Sequence, residues 1–336
     1  MKTSILTRPN LHMPPSAANP EPFSSRPDGH VGWDGETVGE LRPGLPPAAA
    51  RARPPSPGRL QAWLYILTLL TTFLAGAVGW QPVIAGVDAG LVEEVVVNWP
   101  RGLVYMAAVM AVLTAHEAGH FIAARIHGIP ATLPFFIPVP VLLTGTLGAV
   151  IGMEGSRADR RQLFDIAIAG PLAGLVVTIP LLAAGMLTGT AAATSPFALP
   201  PLARWMLAAV RPDLSPGPAG TIAPNALFMA GWVGLLITGL NMIPVSQLDG
   251  GHVSAAVFGR RGNWLARGVL LAAIAAIVGF GMLNWVVMIV LVAFLGVDHP
   301  PIRDDGRPLG PLRTALGLAA LLIPLITFMP EPLTLD

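Results

Sequence analysis

The chain has 336 residues, of which 53% are hydrophobic and only 12% charged, against about 25% charged residues in soluble domains. Several apolar runs exceed the ~18 residues that read as a transmembrane helix, so the chain reads as a polytopic membrane protein with the lipid bilayer as its solvent. The net charge of +1 gives no reason to expect a nucleic-acid partner, and the absence of cysteine excludes disulfides, thiolate-ligated metal and thiol nucleophiles.

Residues 1–58 are polar and rich in proline (Pro9, Pro14, Pro15, Pro43, Pro46, Pro47, Pro54, Pro55, Pro57) and carry no apolar periodicity. That composition predicts a disordered tail. It has no apolar h-region near its start, so a cleavable signal peptide is not expected. A first span is predicted from about Ala62 to Trp80, with Arg51, Arg53 and Arg59 before it and Trp63 and Trp80 as interfacial anchors. The segment 81–101, with Asp88, Glu93 and Glu94, reads as a loop. A second span, about Gly102 to Arg125, contains His116-Glu117-Ala118-Gly119-His120. Histidines four apart on a helix share one face, about one turn or ~5.4 Å apart. This spacing suits two imidazoles on one zinc, with Glu117 beside the metal as general base.

Residues 128–156 break the helical pattern. Pro130, Pro134, Pro138 and Pro140 forbid a straight helix, and Val141 to Met153 mixes β-branched residues with Gly145, Gly148 and Gly152. Non-helical backbone at membrane depth survives only against protein or a water-filled cavity, so a re-entrant strand or hairpin is expected near the zinc. A third span follows from about Leu163 to Leu187, with Asp165 near its start and Gly170-Pro171 read as a packing and kink feature. Residues 188–222 read as a loop whose apolar piece, Phe197 to Val210, forms an interfacial helix. A fourth span, about Ala226 to Pro244, leads into Val245-Ser246-Gln247-Leu248-Asp249-Gly250-Gly251-His252, where the two glycines are expected to let the chain turn. Two further spans, about Leu265 to Leu283 and Asn284 to Gly296, read as a tight hairpin or a single crossing. The last span runs from about Thr314 to Met329. The fold class is therefore an all-α membrane protein of six to seven transmembrane helices with a small re-entrant β segment.

Orientation follows from arginine placement. With the N-terminus in the cytoplasm and 265–296 counted as two spans, the basic loops 157–161, 260–267 and 303–313 lie inside, and only Arg101, Arg204 and Arg211 fall outside. This count brings His120 and Asp249 to the same side of the membrane at similar depth. Two histidines need a third protein ligand if tetrahedral zinc is to keep an open position. Asp249 is the first candidate, His252 the second, and His299 and Glu154 are further ones.

At this point the chain resembles a known family. His116-Glu117-Ala118-Gly119-His120 and Asn241-Met242-Ile243-Pro244-Val245-Ser246-Gln247-Leu248-Asp249-Gly250 are similar to the two signature motifs, H-E-x-x-H and N-x-x-P-x-x-x-L-D-G, of the site-2 proteases. These are intramembrane zinc metalloproteases. The resemblance covers roughly residues 62–330. It implies one zinc per chain held by His116, His120 and Asp249, with Glu117 as catalytic base. It further implies that Asn241 helps hold the scissile peptide or its oxyanion, and that 130–153 pairs with an unwound substrate. The implied substrate is a single-span membrane protein, cut in a cell membrane from the cytoplasmic side. Some members insert a PDZ domain or append a CBS domain. The lengths here leave room for neither, so a compact member is expected, with a domain over 59–336 and its core at 103–255. Two readings compete with proteolysis. A metal transporter predicts internal repeats, which the sequence lacks, and a non-catalytic zinc scaffold has no use for Glu117.

Overall fold

A computed structural model describes residues 58–81, 90–153, 157–192, 195–214, 222–282, 296–300 and 307–329, with scattered positions within 285–292 and at 302, 332 and 333. The proline-rich tail and Glu154 lie outside the described residues. So does part of the predicted 284–296 arm.

Helix α1 (Arg59–Ala77) starts at Gly58, whose φ of +111 suits glycine and whose N–H donates to Gln61 Oε1 at 3.0 Å. Its two faces are inverted relative to a soluble helix. Thr68, Thr71, Thr72, Ala75, Gly76 and Ala77 are buried, whereas Trp63, Ile66, Leu67 and Leu70 are exposed. The buried threonines return their hydroxyls to the helix, as from Thr68 to Leu64 O at 2.8 Å and from Thr72 to Thr68 O at 2.7 Å. Small residues inside and large apolar ones outside is the pattern of helices packing in lipid.

Helix α2 (Leu91–Ile126) is longer than predicted. Residues 91–101, read as loop, are helical, and the helix bends at Asn98 (φ −105, ψ 16), just before Pro100. Proline cannot donate to the turn before it, and here it bends the helix without ending it. The sequence alone places the start of this span at about Gly102.

Strands β1 (Phe135–Pro138) and β2 (Thr146–Val150) form the expected hairpin, antiparallel with Phe135 opposite Val150 and Phe136 opposite Ala149. An irregularity between Phe136 and Pro138 accommodates the proline. The hairpin tip packs on α1 at Gly145 (φ +74), where a Cβ would lie 2.5 Å from Thr71 O.

Helix α3 (Arg160–Thr188) is capped by Asp159, whose carboxylate accepts from Arg161 N and Gln162 N. It runs through Pro171 and Pro180. Its buried positions again include glycines (Gly170, Gly174, Gly185) and its exposed ones Leu172, Val176 and Leu187. After the amphipathic α4 (Pro201–Val210), helix α5 (Ala226–Asn241) forms the centre of the bundle, with Phe228, Met229, Trp232, Val233 and Leu235 all buried. Asn225 caps α5 through Phe228 N at 3.0 Å and ties it to α3 through Gly185 O at 2.8 Å.

The stretch after α5 differs from expectation. Residues 242–248 make the turn, with Ser246 at φ +53, and Asp249 opens helix α6 (Asp249–Phe258). Gly250 and Gly251 are helical. A Cβ on either would strike the carbonyls of Met242 or Ser246, so these glycines serve close approach rather than chain reversal. A 3-10 turn at Gly259–Arg261 joins α6 to α7 (Gly262–Phe280).

Among the described residues, four helical segments are long and apolar enough to cross a membrane: Arg59–Ala77, Leu91–Ile126, Arg160–Thr188 and Asp249–Phe280. The predicted fourth and last spans correspond to the shorter apolar helices Ala226–Asn241 and Pro311–Thr327. At 16 residues, α5 extends ~24 Å against ~30 Å of hydrocarbon. The chain is a multi-pass membrane protein, mostly helical, with one small hairpin.

The α3–α5 contact gives a direct test. At Gly185 an added Cβ would overlap the Phe228 backbone, whereas at Gly268, on the exposed side of α7, it would meet nothing. Gly185→Val should cost about 1–3 kcal/mol through overpacking, read as a lower thermal midpoint in detergent. Gly268→Ala should leave the midpoint unchanged or raise it by up to ~1 kcal/mol through helix propensity.

Candidate metal centre

His116 and His120 lie one turn apart on α2 and are buried at 2% and 7% exposure. Their Nε2 atoms are 3.1 Å apart. Asp249, 133 residues from His116 in sequence, places Oδ2 3.1 Å from His116 Nε2 and Oδ1 3.2 Å from His120 Nε2. Its carboxylate stands in the first turn of α6, where the helix dipole favours negative charge.

The donor set fits a zinc ion. Zinc takes nitrogen and oxygen ligands at ~2.0–2.2 Å, and tetrahedral arms of that length span edges of ~3.3–3.5 Å. The observed separations of 3.1–3.2 Å match that edge after slight expansion. His120 is preset for the task. Its Nδ1 lies 2.8 Å from Ile166 O, a carbonyl that only accepts, so Nδ1 carries the proton and Nε2 presents its lone pair to the shared point. Glu117 follows His116 directly and is 3% exposed, and its Oε2 is buried with no hydrogen-bond partner. An orphaned carboxylate oxygen beside three converging donors points to a further polar species, such as a water, in this space.

Helix α3 forms the floor under the imidazoles. A Cβ on Gly170 would collide with the His120 ring, and one on Gly174 would lie 3.1 Å from His116 Nδ1. On the facing helix, a Cβ on Gly119 would strike the Ala169 carbonyl. Pro171 has no N–H for Ala167 O, the carbonyl next to the Ile166 carbonyl that His120 uses. The sequence suggests only packing and a kink at Gly170-Pro171 and shows neither the floor nor the Ile166 carbonyl. The spacing Gly170-x-x-x-Gly174, a close-approach pattern between membrane helices, was the available signal.

The remaining predicted residues divide. Asn241, at the end of α5, brings Nδ2 within 3.3 Å of His116 Nε2 and so borders the same point. His252 and His299 do not join the ligand set. Their rings bond to each other, Nδ1 to Nε2 at 2.6 Å. Asp165 pairs with His127 and Arg313, away from the site. A cavity of about 570 Å³ opens on the metal centre, lined by Glu117, Asn241, Gln247 and the β2 residues Ala149 and Val150, with His252, His299 and Pro300. Among the described residues, His116, His120 and Asp249 form the one cluster of His and carboxylate side chains able to hold a metal ion.

The sequence model of peptidase family M50 matches residues 104–286, more than half of the chain. A probable chloroplastic zinc metalloprotease, EGY1, of Oryza sativa subsp. japonica is 34% identical over 160 residues, covering 45% of this chain and 27% of that protein. EGY1 of Arabidopsis thaliana, also named a probable chloroplastic zinc metalloprotease, is 28% identical over 244 residues, covering 66% and 42%. The probable chloroplastic zinc metalloprotease EGY2 of Oryza sativa subsp. indica is 31% identical over 249 residues, covering 69% and 44%. The chain spans less than half the length of these curated relatives. No solved structure matches it significantly.

The floor predicts a metal-binding phenotype for a residue that ligates nothing. Supporting contacts around metal ligands carry about 10–100-fold in affinity, so Gly170→Ala should lower zinc per purified chain while Gly268→Ala keeps the wild-type value. Elemental analysis after gel filtration measures both, and equal zinc in the two variants would refute the floor's role.

Proposed function

Because the chain belongs to peptidase family M50, we propose that it is an intramembrane zinc metalloendopeptidase, hydrolysing a peptide bond in or near a transmembrane segment of a membrane-protein substrate. The observation that carries this reading is the buried, unpartnered Glu117 oxygen next to the converging His116, His120 and Asp249 donors. A transport site or a structural zinc site needs the three donors, but neither needs an unsatisfied carboxylate beside them.

In this reading His116, His120 and Asp249 are the protein ligands and leave one position open. Bound zinc supplies a Lewis acid that polarises the peptide carbonyl and acidifies water. Glu117 takes the proton from the attacking water and returns it to the leaving amine. The Asn241 amide, 3.3 Å from His116 Nε2, donates to the carbonyl oxygen as negative charge develops there. A helical substrate hides its peptide bonds, so it must unwind to be cut. Among the described residues the far edge of β2 has no strand partner, and residues of β2 line the cavity. Strand addition along that edge would hold the unwound segment.

The proposal includes a single-span substrate, a cell membrane, six to seven crossings and a cytoplasmic active site. The arginines of 157–161, 260–267 and 303–313 support that orientation. The relatives of Oryza sativa and Arabidopsis thaliana are named as chloroplastic proteins.

The test is cleavage of a co-expressed single-span protein tagged at both ends, with zinc measured in parallel. Glu117→Gln should keep its zinc and lose about 10²–10⁴ in rate; undiminished cleavage would sink the reading. Asp249→Ala should lose both zinc and activity. Asn241→Ala should lower kcat by about 10²–10³, with zinc retained.

A further inference from the structure

Residues 296–300 lie beyond the segment matched to the family, which ends at 286, yet His299 and Pro300 line the metal cavity. Four contacts fasten this strap. Ser246 N–H donates to Val297 O at 3.1 Å from a left-handed backbone position that disfavours serine. Asp298 pairs with Arg267 through contacts of 2.6 and 3.1 Å. The His299 N–H donates to Asn263 Oδ1 at 3.2 Å. The His299 ring stands edge-on to His252, with centroids 4.8 Å apart and Nε2 2.6 Å from His252 Nδ1.

The proton positions in this pair follow from its partners. His299 Nδ1 lies 2.6 Å from Pro300 O, so Nδ1 carries the hydrogen. A neutral ring then has a bare Nε2, and His252 Nδ1–H donates to it. Burial pushes the His299 pKa below the usual imidazole value, opposed by the bond to Pro300 O, and so favours the neutral ring.

The two walls of the cavity face different surroundings. The outer side of the strap carries the Arg267–Asp298 pair, both partners more than 40% exposed, and an exposed ion pair of this kind belongs in water. The wall formed by β2 exposes Leu147 and Val150, which belong against lipid or an apolar chain.

We propose that His299, latched to His252, is a specificity-determining residue: it closes the water-facing side of the metal cavity to soluble peptides and leaves the β2 edge as the route for substrate. The proposal rests on the protease reading for its consequence, but the closure itself is measurable without catalysis. The chain has no cysteine, so Ala149→Cys creates a single reporter at a buried position of the cavity wall. Its labelling rate by a charged, membrane-impermeant thiosulfonate reads access from water. Losing one hydrogen bond of the latch should raise that rate about five- to tenfold in His299→Ala. Asn263→Ala, which removes a different anchor of the same strap, should act in the same direction. His299→Gln should restore slow labelling, because the amide oxygen can accept from His252 Nδ1–H. In parallel, the rate on a soluble, unstructured fluorogenic peptide should rise in His299→Ala relative to the rate on the tagged single-span protein. Unchanged labelling in both His299→Ala and Asn263→Ala overturns the latch. Faster labelling without any change in the ratio of soluble to single-span cleavage overturns its role in specificity. If no chain cuts either substrate, the protease reading fails, and the thiol arm still decides the closure.

Discussion

Ionisable side chains at membrane depth cost several kcal/mol each unless something nearby compensates them, and this chain buries two imidazoles and the Glu117 carboxylate on α2 against the partly buried Asp249 in the first turn of α6. Much of the surrounding structure answers that constraint. The His120 proton is taken by the Ile166 carbonyl. Asp249 stands at a helix N-terminus and against both rings. Among the described residues one buried carboxylate oxygen, on Glu117, has no partner, and a divalent cation would invert the local electrostatics in favour of both acids. The close approach of α2 and α3 through Gly119, Gly170 and Gly174 brings the Ile166 carbonyl within reach of the ring. Small residues in this bundle therefore act as electrostatic parts, because they set the distance over which a buried proton is shared.

The same constraint applies to the backbone. The last carbonyls of a helix have no partner within it, and in lipid they have no water either. Arginine meets this need repeatedly. Arg101 donates to Gly76 O and Ala77 O at the end of α1, at 2.8 and 2.5 Å. Arg160 reaches Ala256 O and Val257 O near the end of α6, and Arg211 reaches Gly189 O just past α3. Cations at helix C-termini also complement the dipole. This bears on the orientation argument. The three arginines on the wrong side of the positive-inside count, Arg101, Arg204 and Arg211, all have guanidinium groups bound to backbone carbonyls, Arg204 through Leu199 O. They hold helix and loop ends, as the inside-counted Arg160 and Arg161 also do, so each of these arginines weighs less as a topology signal than a solvated one would.

Chemistry that depends on residue type and local spacing was legible in the sequence. His116, Glu117 and His120 needed only helical periodicity, and the hairpin at 135–150 followed from prolines and glycines that no straight helix could hold. Pairing Asp249 with the histidines required an assumed depth, and the contacts agree with it. What was misread depended on tertiary packing. Pro100 bends α2 without ending it, and the Asn98 side chain bonds to Glu94 O beside the bend at 3.0 Å. Gly250 and Gly251 have helical backbones and no side chain because the Met242 and Ser246 carbonyls lie against them. His252 and His299 were each weighed as lone ligands, and nothing local shows that two histidines 47 residues apart bond to each other.

The segment 241–249 shows how much geometry is packed between two site residues. Asn241 ends α5 and Asp249 begins α6, and both must arrive within hydrogen-bonding distance of His116 Nε2. A regular helix over that interval would set the two residues ~12 Å apart along its axis. The chain must therefore double back, and it does so with Val245 N–H bonded to Ile243 O at 2.8 Å and Leu248 N–H to Val245 O at 3.2 Å. The strained Ser246 backbone is held by its N–H bond to Val297 O, which comes from the strap itself. Strain of this kind persists only where the surroundings over-determine it. The strap thus braces the turn that delivers Asp249, and the strap that lines the cavity and the position of Asp249 become mechanically linked through one backbone hydrogen bond.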